Sequence, residues 1–300
     1  MNNKLLIISG PTASGKTALA IAISKLFPSE LISADSRQIY IGLDIGVGKD
    51  HPTNTPIHCI DTIYPNEIYS VAQFQKLAMQ KISEVQSRGH LPIVVGCTAF
   101  YIKSLLANNY QTFDIKPNYF LRFFLDRLPV FVLQKIYYLL DKTNYILLNN
   151  SDVHNPRRLI RKIEIKLSHK SFISKFDLEK FDILHISLTA PNSFLYPRVD
   201  ARVEDRLTLG HMDELKMLLK KYSWNDPGLK VSAYHSFKNY IAKLEPITTA
   251  IQKWKFAEHH DVSHHKRAFS TIKNANFVDI SKPTYPQSTI KFISKWYNQL

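Results

Sequence analysis

The sequence predicts an α/β fold, with a parallel-sheet core and a mostly helical insertion domain. Short apolar runs typical of buried strands alternate with helical periodicity over the first third of the chain. A further apolar run at residues 182–188 indicates that the sheet continues much later. We therefore expect a core of residues 1–110 and 177–300, and an insertion of residues 111–176.

Each core element is predicted from the length and the periodicity of its apolar pattern. An unbroken apolar run before a glycine indicates the first strand, and helical spacing follows it. The next helix is predicted because apolar side chains recur on one face until Gly89 ends the pattern. The predicted elements are strands at 4–9, 30–33, 91–96 and 182–188, and helices at 17–27, 71–88 and from 101 onward.

Most of the net positive charge lies after residue 110, in the insertion and the later part of the core. The formal net charge is +14, of which residues 111–300 carry +12. Aromatic and basic residues interleave in the insertion, and Asn155-Pro156-Arg157 precedes a predicted helix at 158–167. Concentrated positive charge attracts polyanions, so nucleic acid is the natural candidate partner, with a solubilising excess of lysine as the alternative.

Composition excludes several classes of protein. The chain is 45% hydrophobic and 12% aromatic, which is typical of a globular protein. No apolar run approaches the roughly 18 residues of a membrane span, and the start lacks the pattern of a signal peptide. Cys59 and Cys97 are too few for a disulfide framework or a four-cysteine zinc site. We expect a cytoplasmic monomer that does not bind membranes.

A phosphate-binding P-loop follows the first predicted strand. The segment matches G-x-x-x-x-G-K-[ST] in full and stands between a strand and a helix, as that motif requires. Backbone N–H groups would surround phosphate, Lys16 would neutralise it, and the Thr17 hydroxyl would bind Mg²⁺. A glycine turn that only joins strand to helix is the alternative. The motif residues are Gly10, Pro11, Thr12, Ala13, Ser14, Gly15, Lys16 and Thr17.

The motif indicates phosphate or diphosphate binding and does not by itself indicate hydrolysis. P-loop hydrolases usually carry a metal-binding aspartate at the end of an apolar strand. Here the strand at 91–96 is followed by Cys97 and Thr98, without a carboxylate. Asp35 follows the second strand instead, where it could hold magnesium, act as a base or cap a helix. For an isolated aspartate in this position, a helix cap is the favoured interpretation.

The two loops together resemble those of the tRNA dimethylallyltransferase family. GPTASGKT at 10–17 and ISADSRQIY at 32–40 carry the resemblance, which covers about residues 4–280. Further matching segments occur in the family's order. They are Tyr69-Ser70-Val71 with Phe74, Leu91–Gly96 with Thr98 and Tyr101, Asn155–Arg161, Arg198–Val203 and Ala233-Tyr234.

The resemblance implies metal-dependent transfer of a dimethylallyl group from dimethylallyl diphosphate. The acceptor would be the exocyclic amine of the adenosine beside the anticodon of tRNA. By analogy, Asp35 is the general base, Thr98 contacts the target base, and Arg198 and Lys16 bind the leaving diphosphate. An allylic carbon gains positive charge as diphosphate departs, and a carboxylate that accepts the amine proton improves a poor nucleophile.

The same resemblance implies a tRNA-binding surface for the anticodon stem-loop. Arg198, Arg202 and Arg206 recur every four residues, which indicates one basic face of a helix. An ordinary solvated surface is the alternative for that stripe, and the P-loop beside it favours diphosphate and RNA contact. The predicted tRNA-binding residues are Asp35, Ser36, Arg37, Gln38, Thr98, Arg122, Arg157, Arg158 and Arg161.

Several positions depart from the family pattern. Family members usually have Gly-Gly-Thr-Gly where this chain has residues 96–99 as Gly-Cys-Thr-Ala, so the added side chains are expected to narrow the prenyl channel. Threonine is usual in place of Val47. Near the C-terminus, residues 263–269 stand where the family has a basic stretch followed by Thr-Trp. The histidine-rich segment 259–265 could suggest a metal site, but uneven spacing and the lack of cysteine partners favour a solvated patch.

Three other functions remain open from the sequence. An adenylate isopentenyltransferase acting on free nucleotides would share the P-loop, but would not need the insertion or its charge. A P-loop RNA-dependent ATPase or kinase would need the missing carboxylate after the third strand. A tRNA-binding protein without catalytic activity would not need Asp35, Lys16, Thr17, Thr98 and Arg198 together.

Overall fold

The computed structural model describes residues 3–50, 52, 55–106, 115, 117–168 and 180–299. Among them, six strands form one sheet in which every pairing is parallel. The strands are β1 (Lys4–Ser9), β2 (Ser29–Ser33), β3 (Ile57–His58), β4 (Leu91–Gly96), β5 (Asp182–Thr189) and β6 (Asn276–Asp279). Their order is β3-β2-β4-β1-β5-β6, which confirms the predicted α/β class.

Helices connect and cover these strands. The early helices are α1 (Lys16–Ser24), α2 (Val71–Ser87) and α3 (Ala99–Leu106). They are followed by α4 (Tyr119–Leu125), α5 (Val130–Leu140), α6 (Lys142–Ile146), α7 (Asn150–Val153) and α8 (Pro156–Leu167). The later helices are α9 (Asn192–Thr208), α10 (His211–Leu219), α11 (Ser232–His235), α12 (Lys238–Ile241), α13 (Ile247–Ser270) and α14 (Gln287–Tyr297). Within the described part of the chain, no helix is long and apolar enough to cross a membrane.

The centre of the sheet is buried on both faces. β1 pairs with β4 on one side and with β5 on the other, and its residues Leu5 to Ile8 have no exposed surface. This burial explains why β1 is a continuous apolar run rather than an alternating one. Because all strands are parallel, the loops after β1, β2 and β4 meet at the carboxyl edge of the sheet, where ligands bind in such folds.

The chain divides into two compact units. The first comprises Met1–Ala107 and Asp177–Leu300, and contains the sheet. The second is Asn108–Phe176, which contains α4 to α8; α5 packs on α8 there, around a buried apolar cluster that includes Leu133 and Ile160. The side chain of Asn155 accepts the Arg158 backbone N–H and so caps α8.

A charged cluster lies at the amino end of β2, opposite to the predicted site. The buried Glu30 carboxylate accepts two hydrogen bonds from Arg88, both 2.8 Å long, and it also contacts the rings of His58 and His90. The hydrogen bonds from Arg88 lower the pKa of Glu30 to about 2, against the opposing effect of burial. Glu30 therefore stabilises the folded state in its ionised form.

We expect this cluster to contribute a defined part of the acid sensitivity of the fold. Because the folded-state pKa of Glu30 is depressed, its contribution is complete above pH 4.5 and is lost as the pH falls toward 2. Glu30→Gln should lower the free energy of unfolding at pH 7 by about 2 kcal/mol, and the difference should shrink below pH 4.5. Urea titrations at a series of pH values measure this, with Asp205→Asn, which changes an exposed carboxylate on α9, as control. A difference that does not vary with pH would contradict the assignment.

Candidate active site

The P-loop between β1 and α1 has the backbone of an anion cradle. A Cβ atom at Gly10 would lie 2.6 Å from the Leu188 carbonyl oxygen, so only glycine fits there. Gly15, with φ of 80°, precedes the first turn of α1, and Ala13 is also left-handed, with φ of 59°. The hydroxyl of Ser14 is buried and has no hydrogen-bond partner within the described residues. A buried, unpaired donor in such a loop fits an oxyanion ligand.

Lys16 is folded back onto its own loop. Its ammonium group donates to the Pro11 carbonyl oxygen, 2.7 Å away. Burial lowers the pKa of Lys16, and the negative charge of nearby Asp35 partly offsets this effect. An additional anion in the loop would therefore stabilise the charged form of Lys16.

A cavity opens beside the P-loop at the carboxyl edge of the sheet. It is bounded by the P-loop, by the segment after β2 and by the end of β4, and its cations come from the P-loop and from α9. The lining residues are Thr12, Lys16, Thr17, Ser33, Asp35, Gln38, Val47, Gly48, Asp50, Ile57, Val95, Gly96, Cys97, Arg202 and Arg206. The cavity thus joins the predicted phosphate site to the predicted base.

Asp35 is held through both carboxylate oxygens. Oδ1 accepts the Arg37 backbone N–H at 2.9 Å, and Oδ2 accepts the Cys97 thiol at 3.1 Å. The segment carrying Asp35 lies close against the end of β4, because a Cβ atom at Gly96 would overlap the Ala34 backbone. Gly96 is therefore required for this approach. Cys97 is not among the described residues with left-handed backbone, so a side chain is tolerated there.

Thr98 is tied to the same segment. Its hydroxyl accepts the Ser36 backbone N–H at 2.9 Å and lies 3.2 Å from the Ser36 hydroxyl. Gln38 is also held internally: it accepts a hydrogen bond from the Ser33 hydroxyl and donates one to the Gly48 carbonyl oxygen. These predicted tRNA-contacting residues therefore also fix the shape of the loop after β2.

Arg37 is anchored to α13. Its guanidinium group forms ion pairs with Glu258, at 3.4 Å, and with Asp261. Burial opposes the charge of Arg37, but the two carboxylates outweigh it and raise its pKa. Arg37 is therefore a structural link from the loop after β2 to a helix more than 200 residues later in the chain.

The arginines of α9 line two different cavities. Arg198 donates from Nε to the Ala13 carbonyl oxygen at 3.0 Å and lines a neighbouring cavity beside α1, with Phe194 and Tyr285. Arg202 and Arg206 line the cavity of Asp35. Arg206 is buried, and burial together with the charge of Arg202 lowers its pKa to about 10. A solvated stripe is therefore the wrong interpretation for Arg206.

The predicted basic residues of the second unit differ in availability. Arg122 forms two hydrogen bonds with buried Glu164, at 2.7 and 2.8 Å, and Arg161 contacts the same carboxylate at 3.1 Å. Arg158 pairs with Asp152 at 2.7 Å. Arg157 is exposed and makes no ion pair within the described residues. Arg157 is thus the member of this set that is most available to a phosphate group.

A family model for IPP transferase matches residues 38–263. This protein belongs to the IPP transferase family. It is 31% identical over 300 residues to a tRNA dimethylallyltransferase of Roseiflexus sp. (strain RS-1), covering 97% of this chain and 98% of the relative. The tRNA dimethylallyltransferase of Limosilactobacillus reuteri (strain DSM 20016) is 33% identical over 308 residues, covering 98% and 99%.

The fold also agrees with a solved member of the IPP transferase family. The tRNA isopentenylpyrophosphate transferase of Bacillus halodurans superimposes with a TM-score of 0.71 at 28% identity, covering 98% of this chain and 95% of that one. The chain thus spans nearly the whole length of its relatives. The predicted family and its α/β architecture are confirmed.

The contacts of the histidine-rich segment of this IPP transferase were not predicted from the sequence. The histidine-rich segment is not simply solvated, because His259 contacts Asp200 at 2.8 Å and stacks on the Tyr196 ring. Nδ1 of His265 is buried and has no partner in the described part of the chain. Burial lowers the pKa of His265 to about 4, and the charge of Lys16 acts in the same direction. A helical spacing of polar residues from 258 to 265 was the signal available in the sequence.

A second, strongly basic cavity begins at Arg37. Positive and polar side chains dominate its wall, and its acidic member, Asp261, is already paired with Arg37. The lining residues are Arg37, Lys230, Ser232, His235, Ser236, Lys238, Asn239, Lys253, Ala257, His260 and Asp261. Apart from Arg37, none of them was predicted from the sequence to bind a ligand. This cavity can accommodate an anionic ligand next to the loop that carries Asp35.

Proposed function

We propose that this protein is a tRNA dimethylallyltransferase. It transfers a dimethylallyl group from dimethylallyl diphosphate to the exocyclic amine of the adenosine beside the anticodon. The observation that carries the proposal is the shared cavity of Asp35, Lys16 and Thr17, in which a fixed carboxylate faces a phosphate-binding loop. Membership of the IPP transferase family supports the same activity. We also expect a monomer that acts in the cytoplasm.

The P-loop and α9 supply the charges for a diphosphate. Lys16, Arg202 and Arg206 line one cavity, and the buried Ser14 hydroxyl offers an unused donor in the adjoining loop. These groups stabilise the negative charge that develops as diphosphate leaves. Arg198 lies behind the P-loop, bonded to Ala13, so we propose that it acts by holding the loop as well as by its charge.

Mg²⁺ is the cofactor that this site would take. Thr17 and Asp50 offer oxygen ligands in the cavity, and oxygen is the ligand atom that Mg²⁺ prefers. Thr17 and Asp50 are the residues that would hold the ion here. Such an ion would add positive charge beside the leaving group.

The reaction exchanges one bond for another. The bond between the allylic carbon and the diphosphate oxygen breaks, and the amine nitrogen bonds to that carbon. The electron pair of the broken bond leaves with the diphosphate, next to Lys16 and the α9 arginines. The Asp35 carboxylate accepts the proton that the amine loses. Thr98, whose hydroxyl accepts the backbone N–H of Ser36, the residue after Asp35, is proposed to contact the adenine.

Each of the two units offers its own basic region for tRNA. We propose that the cavity beginning at Arg37 binds backbone phosphates near the target adenosine, since it adjoins the Asp35 loop. In the second unit, Arg157 is exposed and makes no ion pair with the described residues, as expected of a phosphate contact. Arg122 and Arg161 support this surface through Glu164.

Arg157→Ala should weaken tRNA binding several-fold without loss of folding. One lost phosphate contact should reduce the slope of log Kd against log salt by about one. Fluorescence anisotropy of a labelled anticodon stem-loop at several salt concentrations measures this. Lys135→Ala, which removes an exposed cation of the same unit outside the predicted stretch, is the control. An equal change in both variants would mean that overall charge, and not Arg157, determines the slope.

Label transfer tests the proposed activity directly. Purified protein, Mg²⁺ and radiolabelled dimethylallyl diphosphate are mixed with unmodified tRNA, and in parallel with AMP. We expect label in tRNA alone, at the adenosine beside the anticodon. Label in AMP would instead indicate an adenylate isopentenyltransferase. Absence of label from both, with tRNA still bound, would contradict the proposed activity.

A further inference from the structure

Cys97 is a buried residue of the cavity shared by the P-loop and Asp35. It follows the last residue of β4, is 7% exposed and lines the same cavity as Lys16 and Asp35. Its sulfur atom is 3.1 Å from Oδ2 of Asp35. Among the described residues, the Cys97 thiol is the side-chain group that hydrogen-bonds to the proposed base.

The thiol acts as a hydrogen-bond donor in this contact. Burial and the negative charge of Asp35 both raise the pKa of Cys97, so the sulfur remains protonated at neutral pH. Cys59 offers a comparison within the same chain. It is also buried, its pKa is raised to about 12 by burial, and its thiol makes no hydrogen bond with the described residues.

The contact matters because Asp35 lies among cations. Lys16 and Arg202 line the same cavity, and the charge of Asp35 acts on Lys16. Even so, Asp35 and Lys16 are not joined by an ion pair; Lys16 donates to Pro11, and Asp35 accepts from Cys97 and from the Arg37 backbone. A carboxylate free to rotate would approach the ammonium group, and both groups would lose their proposed roles.

We infer that Cys97 is a positioning residue for the proposed general base. Its thiol and the Arg37 N–H hold the two oxygens of Asp35 in one orientation, apart from Lys16, with further lone pairs free to accept the amine proton. This inference rests on the proposed function, in which Asp35 is the base. The hydrogen bond itself can be tested without any activity.

Infrared spectroscopy of the S–H stretch tests the hydrogen bond. In a Cys59→Ala background the protein has one thiol, and its S–H band should lie at lower frequency than that of Cys59 in a Cys97→Ala protein. Adding Asp35→Ala should move the Cys97 band up toward the position of the Cys59 band. A band that does not respond to Asp35→Ala would overturn the inference.

Kinetics test the positioning role. Cys97→Ala should lower kcat about tenfold, because a displaced catalytic group loses rate. tRNA affinity and Tm should stay unchanged. Cys97→Ser keeps a donor and should restore kcat to within about twofold of the wild-type value. Equal kcat values for the alanine and serine variants would overturn the inference. If the wild-type protein transfers no label while the infrared shift is present, the hydrogen bond stands and the proposed function fails.

Discussion

Asp35→Ala is expected to abolish prenyl transfer while leaving tRNA affinity within about twofold of the wild-type value. General-base catalysis contributes roughly 10² to 10⁴ in rate, so kcat should fall by about a thousandfold. Affinity should survive because the proposed phosphate contacts lie in the basic cavity and on the second unit, not on this carboxylate. Single-turnover transfer and anisotropy binding, made on the same preparation, measure the two quantities.

Asp35→Asn separates the chemistry of this residue from its place in the loop. The amide oxygen can still accept the Arg37 N–H, which Oδ1 of Asp35 accepts at 2.9 Å. The amide nitrogen that replaces Oδ2 cannot accept the Cys97 thiol, and the amide cannot take up the amine proton. The asparagine variant should therefore be as inactive as the alanine variant. Full activity of Asp35→Asn would show that Asp35 only shapes the loop.

Lys16→Ala is expected to lower kcat/KM for dimethylallyl diphosphate by about a hundredfold or more. Its ammonium group is the cation that the P-loop itself contributes to the cavity, where the proposed negative charge develops. The affinity for inorganic diphosphate, measured by calorimetry, should fall in parallel with kcat/KM. tRNA affinity should not change.

A lysine at the opposite end of α1 provides the control for Lys16→Ala. Lys25 follows the last turn of the same helix and is exposed, so Lys25→Ala removes an equal charge far from the P-loop. We expect its kinetics to match those of the wild-type protein. If Lys16→Ala loses tRNA affinity as strongly as it loses diphosphate affinity, Lys16 does not act mainly on the donor.

Residues that follow strands were predictable from the sequence. The P-loop, Asp35 and Thr98 each come directly after an apolar run, and parallel strands bring such positions to one edge of a sheet. β1, β2, β4 and β5 are close to their predicted bounds because buried central strands are continuously apolar. β3 and β6 were missed, since two and four residues at the sheet edges carry too short a pattern.

Partners across long sequence distances were not predictable. Arg122 pairs with Glu164, 42 residues later, and Arg37 pairs with Glu258, 221 residues later. Neither separation produces a periodic pattern in the sequence from which the pair could be predicted. The four-residue spacing of Arg198, Arg202 and Arg206 correctly indicated a helix. It could not show that Arg198 lies behind the P-loop while the other two line the cavity.

The link from Arg37 to α13 has a consequence for the synthesis of the protein. The P-loop and the Asp35 loop leave the ribosome early, but Glu258 and Asp261, which anchor Arg37, are among the last fifth of the residues to be made. β5, which pairs along all of β1, also arrives only after the second unit. A prematurely terminated chain that lacks α13 therefore carries the complete P-loop motif. It lacks the ion pairs that anchor Arg37 in the loop that carries Asp35. Such truncated products should not compete with the finished enzyme for prenylation of tRNA.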